Sequence, residues 1–425
     1  MKKSQTLISA LLASGLFAGS AFAEIEVSDS QVFSDSTVKN ETYVIKDGGT
    51  LSTSQNTVLE KVSITVEQGG TLQLNNQITN KSGTAGQVFD IYGALSCGTN
   101  SGSNQTFITG DNADDLTTIY FREGSSLASP NGGRVNLEMR RGSTSVYVEK
   151  TALNSFQDII MGNRGDVGSI NNTNLFSVNG GSVNVAAQTQ LGSESAYIPN
   201  AGITQKNTLS ITNAGVFKTR DLKVSVNSAA DKGKYESFVN VEGAGSTLQA
   251  TSFIRLGSET GVSTAEMVVK SGAKVITPTL SLYKTGSISL VLDSSNFDVA
   301  NSAMIDATTF DYSDASAGKI LIDGELLAAV NDFAKGDVWD IVLIKAGGIN
   351  LDGVATSEFS YETIAGMFSF ANNTGNENCA DFGAENISFE NGNFVLSLTY
   401  VPEPSAYAAI FGALALAFVA YRRRK

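Results

Sequence analysis

The sequence predicts an all-β protein, a right-handed parallel β-helix (a β-solenoid) closed by a β-rich C-terminal cap. Three observations predict this fold class. Short apolar strands lead repeatedly into a glycine-containing turn and then into a second strand. The turns recur at intervals of 21 to 34 residues, with no helical spacing between them. Glycine (42 residues) far outnumbers proline (5), which suits tight turns between strands rather than a disordered chain.

The first element, residues 1–23, has the features of a secretory signal peptide. Two lysines precede an apolar core from Leu7 to Phe17, and Ala21 and Ala23 form an A-x-A cleavage site. The core is short and contains serine and glycine, which favours cleavage over an uncleaved first membrane helix. We expect the secretion machinery to export the chain and the mature protein to begin at Glu24.

The repeat region is assigned to residues 24–296. Its turns are centred on Gly49, Gly70, Gly181, Gly215, Gly245 and Gly272. Flanking Val, Ile and Leu alternate with polar residues, so one face of each strand points inward, and neighbouring coils must stack to bury it. The tetrapeptide at 191–194 recurs at 256–259 as Leu-Gly-Ser-Glu. The pattern is weak between Thr99 and Asp166.

The repeat motif is a strand, then Asn, Glu or Ser, then Gly-Gly and Thr-Leu-x-Val. It resembles the passenger repeats of autotransporter-like, pectin-lyase-like β-helices from Thr42 to Asn296. The resemblance implies an elongated stack of coils on an exported protein. It does not extend to the end of the chain, so self-translocation is not implied. A set of β-sandwich domains with glycine turns is the alternative, and the lack of a clear linker favours the solenoid.

Residues 297–399 follow another pattern and are predicted to form the cap. The segments around Phe310 and from Gly324 to Phe333 look irregular or helical, whereas 336–344 and 394–400 are strong strands. Such a cap would cover the last open coil, whose edge would otherwise promote aggregation. Trp339, the only tryptophan, is expected in the cap core rather than in a ligand platform.

The last element, residues 400–425, combines two prolines, an apolar run and a basic end. The motif residues are Pro402, Glu403, Pro404 and Ser405, and the basic residues are Arg422, Arg423, Arg424 and Lys425. The prolines prevent a helix from extending backwards. The run from Ala406 to Tyr421 would be roughly 24 Å long as a helix, marginal for a ~30 Å hydrocarbon core. The sequence predicts a single transmembrane helix with its basic end in the cytoplasm.

This order of features resembles the PEP-CTERM sorting signal, which a membrane enzyme called exosortase processes. The resemblance covers the last 25 or so residues, and Ala406 stands where the family often has threonine. It implies that exosortase recognises residues 402–405. It also implies that the basic end retains the protein at the inner membrane until transfer to the cell surface or an exopolysaccharide matrix. A plain single-span anchor is the alternative.

Charge and cysteine content limit the possible partners. The net charge is −13, and removal of the two lysines of the signal and the four terminal basic residues leaves −19. Such an acidic chain repels nucleic acid and anionic lipid, so we expect no nucleic-acid partner. Cys97 and Cys379 could form a disulfide after export, but an elongated solenoid would hold them apart.

The sequence contains no histidine, which excludes serine or cysteine triads and His-ligated zinc sites. Two acidic clusters could bind Ca²⁺ but match no calcium motif, so we interpret them as solvated loops. These clusters are Asp111, Asp114 and Asp115, and Asp311 with Asp314. Arg140 and Arg141 could form a lyase-like basic site but are interpreted as salt-bridge partners. No catalytic residue, metal site or cofactor is predicted.

Together these features predict an exported structural or adhesive protein of the cell surface or extracellular matrix. The alternative is a polysaccharide lyase or hydrolase on the same scaffold.

Overall fold

A computed structural model describes most of the chain. The described residues are 24–33, 35–98, 104–110, 112, 114–162, 171–192, 199–226, 232–293, 303–313, 319–325, 338–372, 381–399 and 404–423. Most of them lie in β-strands of three sheets, so the all-β prediction is confirmed.

Each strand pairs in parallel with a strand one coil further along the chain. Glu24 pairs with Thr42, 18 positions on, and Phe176 pairs with Leu209, 33 positions on. Coils of 18 to about 33 residues therefore stack on one another up to β26, and the last coils are longer, as the pairing of Ile320 with Phe368 shows, in the manner of a β-solenoid.

Sheet A takes one strand from each coil. Its strands are β1 (Glu24–Val27), β4 (Thr42–Ile45), β7 (Ser63–Val66), β10 (Gln87–Ile91), β13 (Leu116–Phe121), β16 (Ser143–Glu149), β18 (Asn172–Asn179), β20 (Thr204–Thr212), β22 (Lys234–Glu242), β24 (Thr264–Lys270), β26 (Gly286–Val291), β28 (Ile320–Asp323) and β31 (Phe368–Ala371).

Sheet B belongs to the first five coils. Its strands are β2 (Ser30–Phe33), β5 (Thr50–Thr53), β8 (Thr71–Leu74), β11 (Ala94–Cys97) and β14 (Ser126–Ala128).

Sheet C extends along the whole stack. Its strands are β3 (Thr37–Lys39), β6 (Thr57–Glu60), β9 (Ile78–Lys81), β12 (Gln105–Thr109), β15 (Val135–Met139), β17 (Ala152–Met161), β19 (Ser182–Leu191), β21 (Val216–Val224), β23 (Thr247–Leu256), β25 (Lys274–Leu282), β27 (Ile305–Tyr312), β29 (Val338–Leu351), β30 (Val354–Thr356), β32 (Ile387–Glu390) and β33 (Asn393–Thr399).

From β17 onward, one long strand replaces the separate strands of sheets B and C. Strands β17, β19 and β23 are each 10 residues long, against 4 or 5 in β6, β9 and β12. The strand pairs from β17 to β25 contain a register shift at a similar place in the coil, for example between Val185 and Gln188. The shift bends the strand where a corner stood in the earlier coils.

The turn glycines identified in the sequence all follow a strand of sheet A, so the predicted repeat is confirmed. At Gly69 the backbone has φ of 84°, which favours glycine. At Gly70 the reason is different, because a Cβ atom would lie 2.6 Å from the carbonyl oxygen of Ile45 in the preceding coil. The glycine pair thus combines a left-handed turn with close stacking of coils.

The repeated tetrapeptide Leu-Gly-Ser-Glu lies at another corner of the coil, where a sheet C strand ends. Leu191 and Leu256 end β19 and β23, and the glycines that follow have φ of 83° and 79°. The weakly patterned stretch between Thr99 and Asp166 contains regular coils, from β12 to β17.

Inward side chains form one continuous core along the stack. Ring centroids of Phe121, Phe156, Phe176 and Phe217 follow one another at 6.2, 6.3 and 5.9 Å in edge-on contacts. A polar ladder lies beside them, in which Asn174 Nδ2 donates to Asn207 Oδ1 at 3.0 Å. Both asparagines are fully buried, so the core is tied together by hydrogen bonds as well as by packing.

The C-terminal part mixes two kinds of pairing. Parallel stacking continues beyond residue 296 as far as β31, while β29 also pairs antiparallel with β30 and β33. The two strong strands of the sequence are β29 and β33. Helix α1 (Tyr361–Met367) packs nearby, and Ser360 Oγ caps its first turn.

One segment of this part differs from expectation. The stretch around Phe310, interpreted as irregular, is strand β27, because buried Phe310 and Tyr312 alternate with the outward Asp311. The side chain of Trp339 lies outside the described part, so its predicted core position stays a prediction.

The tail contains helix α2 (Pro404–Arg423), which starts at Pro404 rather than at Ala406 because proline fits the first helical turn. Within the described residues, no helix is long and apolar enough to cross a membrane. The predicted C-terminal transmembrane helix is therefore not confirmed. The apolar run of sixteen residues spans roughly 24 Å, less than the ~30 Å hydrocarbon core.

Candidate functional site

The bend in the sheet C strands places two rows of outward side chains along the stack. The first row, just after the register shift, is Asn136, Asp158, Gln188, Asp221, Phe253, Thr279, Thr309 and Gly348. The second row, two positions on, is Glu138, Ile160, Gln190, Lys223, Arg255, Ser281, Asp311 and Asn350. Together they cover eight successive strands, from β15 to β29.

These outward side chains are recessed. Asp221 is only 6% exposed, and the side chains of Glu138 and Arg140 are 12% and 19% exposed. Each of these side chains is flanked by its counterparts in the neighbouring coils, so the two rows form a continuous strip of low exposure along the stack. We call it the sheet C groove, defined by the two rows.

The N-terminal third of the groove contains linked carboxylates and amides. Arg140 Nη2 pairs with Glu138 Oε2 at 2.9 Å. Asp158 Oδ1 accepts the backbone N–H of Gln188 at 3.1 Å, and Gln188 Oε1 accepts Gln190 Nε2 at 2.9 Å. Burial raises the pKa of Asp158, and the nearby charge of Glu138 adds to the shift, while the bond from Gln188 and the charge of Arg220 oppose it. This carboxyl therefore holds its proton more tightly than an exposed one.

The central third combines cations with aromatic rings. Arg220 donates to Asp221 Oδ2 through Nη2 at 2.8 Å and through Nε at 3.0 Å. Lys223 Nζ and Arg255 Cζ lie 6.0 and 5.5 Å from the ring centroid of Phe253. The guanidinium of Arg255 also lies 5.4 Å from the ring of Tyr283.

Two buried atoms in this central third have no hydrogen-bond partner in the part of the chain that the structure describes. They are Asp221 Oδ1, an acceptor, and Arg255 Nε, a donor. Buried polar atoms are usually paired, so both are exceptions within the described residues. The central third of the groove thus combines charged groups with aromatic ring surface.

The C-terminal end of the groove widens into a pocket of about 760 Å³ between the hairpins of the cap. We call it the cap pocket. Its lining is Thr309, Ala346, Gly347, Gly348, Ile349, Asn350, Ala355, Thr356, Ser357, Phe389, Asn391 and Gly392. Beside the lining residue Asn350, Asp311 accepts hydrogen bonds from Ser281 Oγ and Asn350 Nδ2, at 3.2 and 2.6 Å.

The acidic clusters of the sequence differ from expectation. Asp115 is fully buried and accepts the backbone N–H groups of Gly83 and Asn112 at 2.6 and 2.7 Å. Asp311 lies on a strand in the groove. The interpretation as solvated loops is therefore wrong for both residues, because partners distant in sequence hold them, whereas Asp114 lies in a turn and is exposed as expected. Asp111 and Asp314 lie outside the described residues, among which no group of three or more Cys, Asp or Glu side chains could hold a metal ion.

The other sequence candidates are placed as follows. Arg140 forms the predicted salt bridge, and Arg141 is half-buried beside it. Cys97 ends β11 as a free, buried thiol, and burial raises its pKa. Of the predicted sorting segment, Pro404 and Ser405 lie at the start of α2 and Arg422 and Arg423 at its end. The remaining candidates, Ala21, Ala23, Cys379, Pro402, Glu403, Arg424 and Lys425, lie outside the described residues.

Sequence reasoning missed the groove. One usable signal was Gly347-Gly348 in the middle of an apolar strand, where no turn is required. The rows themselves follow from the register shifts, which a single sequence does not reveal.

Comparisons with known proteins gave no match to a family model, a curated protein or a solved structure.

Proposed function

We propose that the chain is an exported structural or adhesive protein of the cell surface or extracellular matrix, and that its sheet C groove binds an extracellular polymer. The observation that supports this is the continuity of the groove over eight strands. Rows that repeat at the coil spacing suit an extended ligand that contacts many coils, a common use of solenoid surfaces. Paired charges beside Phe253 and Tyr283 suit a ligand with both polar groups and apolar ring faces.

The ends of the chain support the export part of this proposal. A signal peptide delivers the chain, folded as a right-handed β-helix passenger, to the outer side of the inner membrane. An exosortase-type enzyme recognises Pro402, Glu403 and Pro404 and releases the protein to the surface or to an exopolysaccharide matrix. Until release, the basic residues after Tyr421 retain the chain through attraction to anionic lipid.

Intact mass and C-terminal sequencing of the native protein from surface, matrix and membrane fractions test the sorting step. We expect a chain that begins at Glu24 and ends near Pro404 in the matrix fraction. A variant with alanine at 402, 403 and 404 should remain with the membrane. Normal release of that variant would contradict sorting by this motif, and a native chain that ends at Lys425 would indicate a plain anchor.

Binding to exopolysaccharide isolated from the producing cells tests the groove. We expect Phe253→Ala to weaken co-sedimentation of the mature protein at least fivefold, because the variant removes a ring between two cations. The matched control is Phe238→Ala on the outer face of sheet A, where the side chain is 36% exposed and lies on β22. Equal losses in both variants would argue against the groove.

One observation favours polysaccharide cleavage as a second function. Asp158, whose pKa is raised by burial, lies near Glu138 in the groove, and glycoside hydrolysis uses a pair of carboxyl groups. The expected result is release of reducing ends from the same exopolysaccharide, abolished by Asp158→Asn. An absence of turnover across acidic and neutral polysaccharides would exclude this second function.

A further inference from the structure

The glycine pair Gly347-Gly348 lies inside β29, where glycine is disfavoured because it adds no packing and loses much backbone entropy. Neither residue has a positive φ, so no turn requires glycine. A Cβ atom on Gly348 would meet no atom within 4 Å, so packing does not require glycine there, whereas a Cβ atom on Gly347 would lie 3.1 Å from the carbonyl oxygen of Thr308 in the preceding coil. In a strand, glycine marks a bend or a site where another molecule approaches the backbone closely, and the open space beside Gly348 leaves room for such an approach.

The pairing of β29 shows where that molecule would lie. Strand β33 pairs with β29 from Val338 to Lys345, and β30 pairs with it from Ile349 to Leu351. Antiparallel pairing is interrupted between them, and the backbone N–H of Ala346 donates instead to the Gly392 carbonyl at 2.7 Å. The glycine pair therefore forms the floor of the cap pocket.

The lining of the cap pocket defines the chemistry of the ligand. It carries hydroxyls from Thr309, Thr356 and Ser357 and amides from Asn350 and Asn391, and it has no ionisable side chain. Hydroxyl and amide groups can both donate and accept hydrogen bonds, so they suit an uncharged ligand rich in hydroxyl groups.

Phe389 adds an apolar contact on one wall. Its ring is held by Phe359 and Phe394 at centroid distances of 4.6 and 4.9 Å, so its position is fixed before a ligand binds. A fixed ring beside hydroxyl and amide groups matches the two kinds of surface that a sugar ring presents.

We propose that the cap pocket binds a neutral sugar residue, which ends or branches from the polymer in the sheet C groove. The inference rests on the proposed function in taking the ligand to be an extracellular polysaccharide. The geometry is continuous, since Thr309 and Gly348 end the first row and Asn350 ends the second.

Calorimetric titration of the mature protein with neutral tetrasaccharides of glucose, galactose and mannose tests the proposal, with a hexuronic acid tetrasaccharide of equal length for comparison. We expect at least one neutral tetrasaccharide to bind and the acidic one to bind at least tenfold more weakly. Gly348→Val should reduce the neutral affinity at least tenfold, because its side chain fills the pocket floor. Thr356→Val, which keeps the shape and removes one hydroxyl, should reduce the affinity severalfold.

The matched control is Ser177→Val on the outer face of sheet A, which adds bulk at a half-buried strand position outside the pocket and should leave the affinity unchanged. Unchanged thermal unfolding would show that Gly348→Val folds normally. Preference for the acidic tetrasaccharide, absence of neutral binding, or full affinity in Gly348→Val would overturn the cap pocket assignment. If Phe253→Ala loses exopolysaccharide binding and Gly348→Val keeps it, the proposed function of the groove is supported and only the cap pocket assignment is refuted.

Discussion

The guanidinium carbon of Arg122 lies 4.0 Å from the ring centroid of Tyr120, on the outer face of sheet A. Arg122 also pairs with Asp90 at 2.7 Å and with Glu149 at 2.9 Å. The Tyr120 ring stacks in turn on Tyr147, at a centroid distance of 5.1 Å. One arginine thus joins strands from three successive coils.

Arg122→Ala should therefore lower the free energy of unfolding by about 1–2 kcal/mol, as the sum of a cation–π contact and two partly buried ion pairs. Urea denaturation followed by circular dichroism measures this change. The control is Lys345→Ala, which removes one exposed pair with Asp306 and should cost less than about 0.5 kcal/mol. Equal losses would mean that the arginine acts as an ordinary surface charge.

Gly70→Ala should destabilise the stack by about 1–3 kcal/mol, the usual penalty for overpacking. Its Cβ atom would lie 2.6 and 2.9 Å from the carbonyl oxygens of Ile45 and Lys46, and backbone atoms cannot move aside cheaply. Gly348→Ala is the control, because it meets no atom within 4 Å and should leave stability unchanged or slightly improved. A tolerated alanine at position 70 would refute the close-stacking explanation of the glycine pair.

Asp158→Asn should stabilise the protein in a pH-dependent way. Burial raises the pKa of Asp158 above the ordinary value of 3.8, so the folded state binds this proton more tightly than the unfolded state. The ionised group therefore destabilises the fold increasingly as the pH rises from 3.8 through the raised pKa, and by a constant amount above it. Asparagine retains an acceptor for the Gln188 N–H but has no charge to bury.

Thermal unfolding of both proteins between pH 3 and pH 8 checks this prediction. We expect the gain in melting temperature to be largest at neutral pH and to vanish at the acidic end. A difference that is independent of pH would assign the effect to packing.

Cys97 should react with a thiol reagent only when its coil opens. The residue is 1% exposed, and burial raises the pKa of its thiol, so little reactive thiolate forms at mild alkaline pH. In a Cys379→Ser variant, we expect almost no labelling under native conditions and one thiol per chain in guanidinium chloride. Rapid native labelling would show that the fourth coil opens readily.

The features that depend on neighbours in sequence were predicted. The turn at Gly69-Gly70 and the alternation in β18 and β20 express local backbone preference and burial on one face, so the strands and the coil spacing follow from them. The strong strand at 336–344 was recognised for the same reason.

The features that depend on neighbours in space were not predicted. Asp115 looks like a loop residue until the N–H of Gly83, 32 positions earlier, is placed beside it. The groove arises because a register shift turns the next residue outward, as at Asp158 and Asp221. No pattern in a single sequence shows which strands lie side by side. The hydrogen-bond partners of Asp115 and the two rows of the groove are therefore visible only in the stacked coils.

The thirteen strands that the structure describes in sheet A set the length of the stack. Adjacent strands are about 4.8 Å apart, so the sheet measures roughly 58 Å from its first strand to its last. Each coil therefore adds about 4.8 Å to the length of the stack. Gain or loss of a whole coil would shift the cap pocket along the stack by one strand spacing and keep the two rows in register. The length of the protein can therefore change without a change in the residues that form the rows or the pocket.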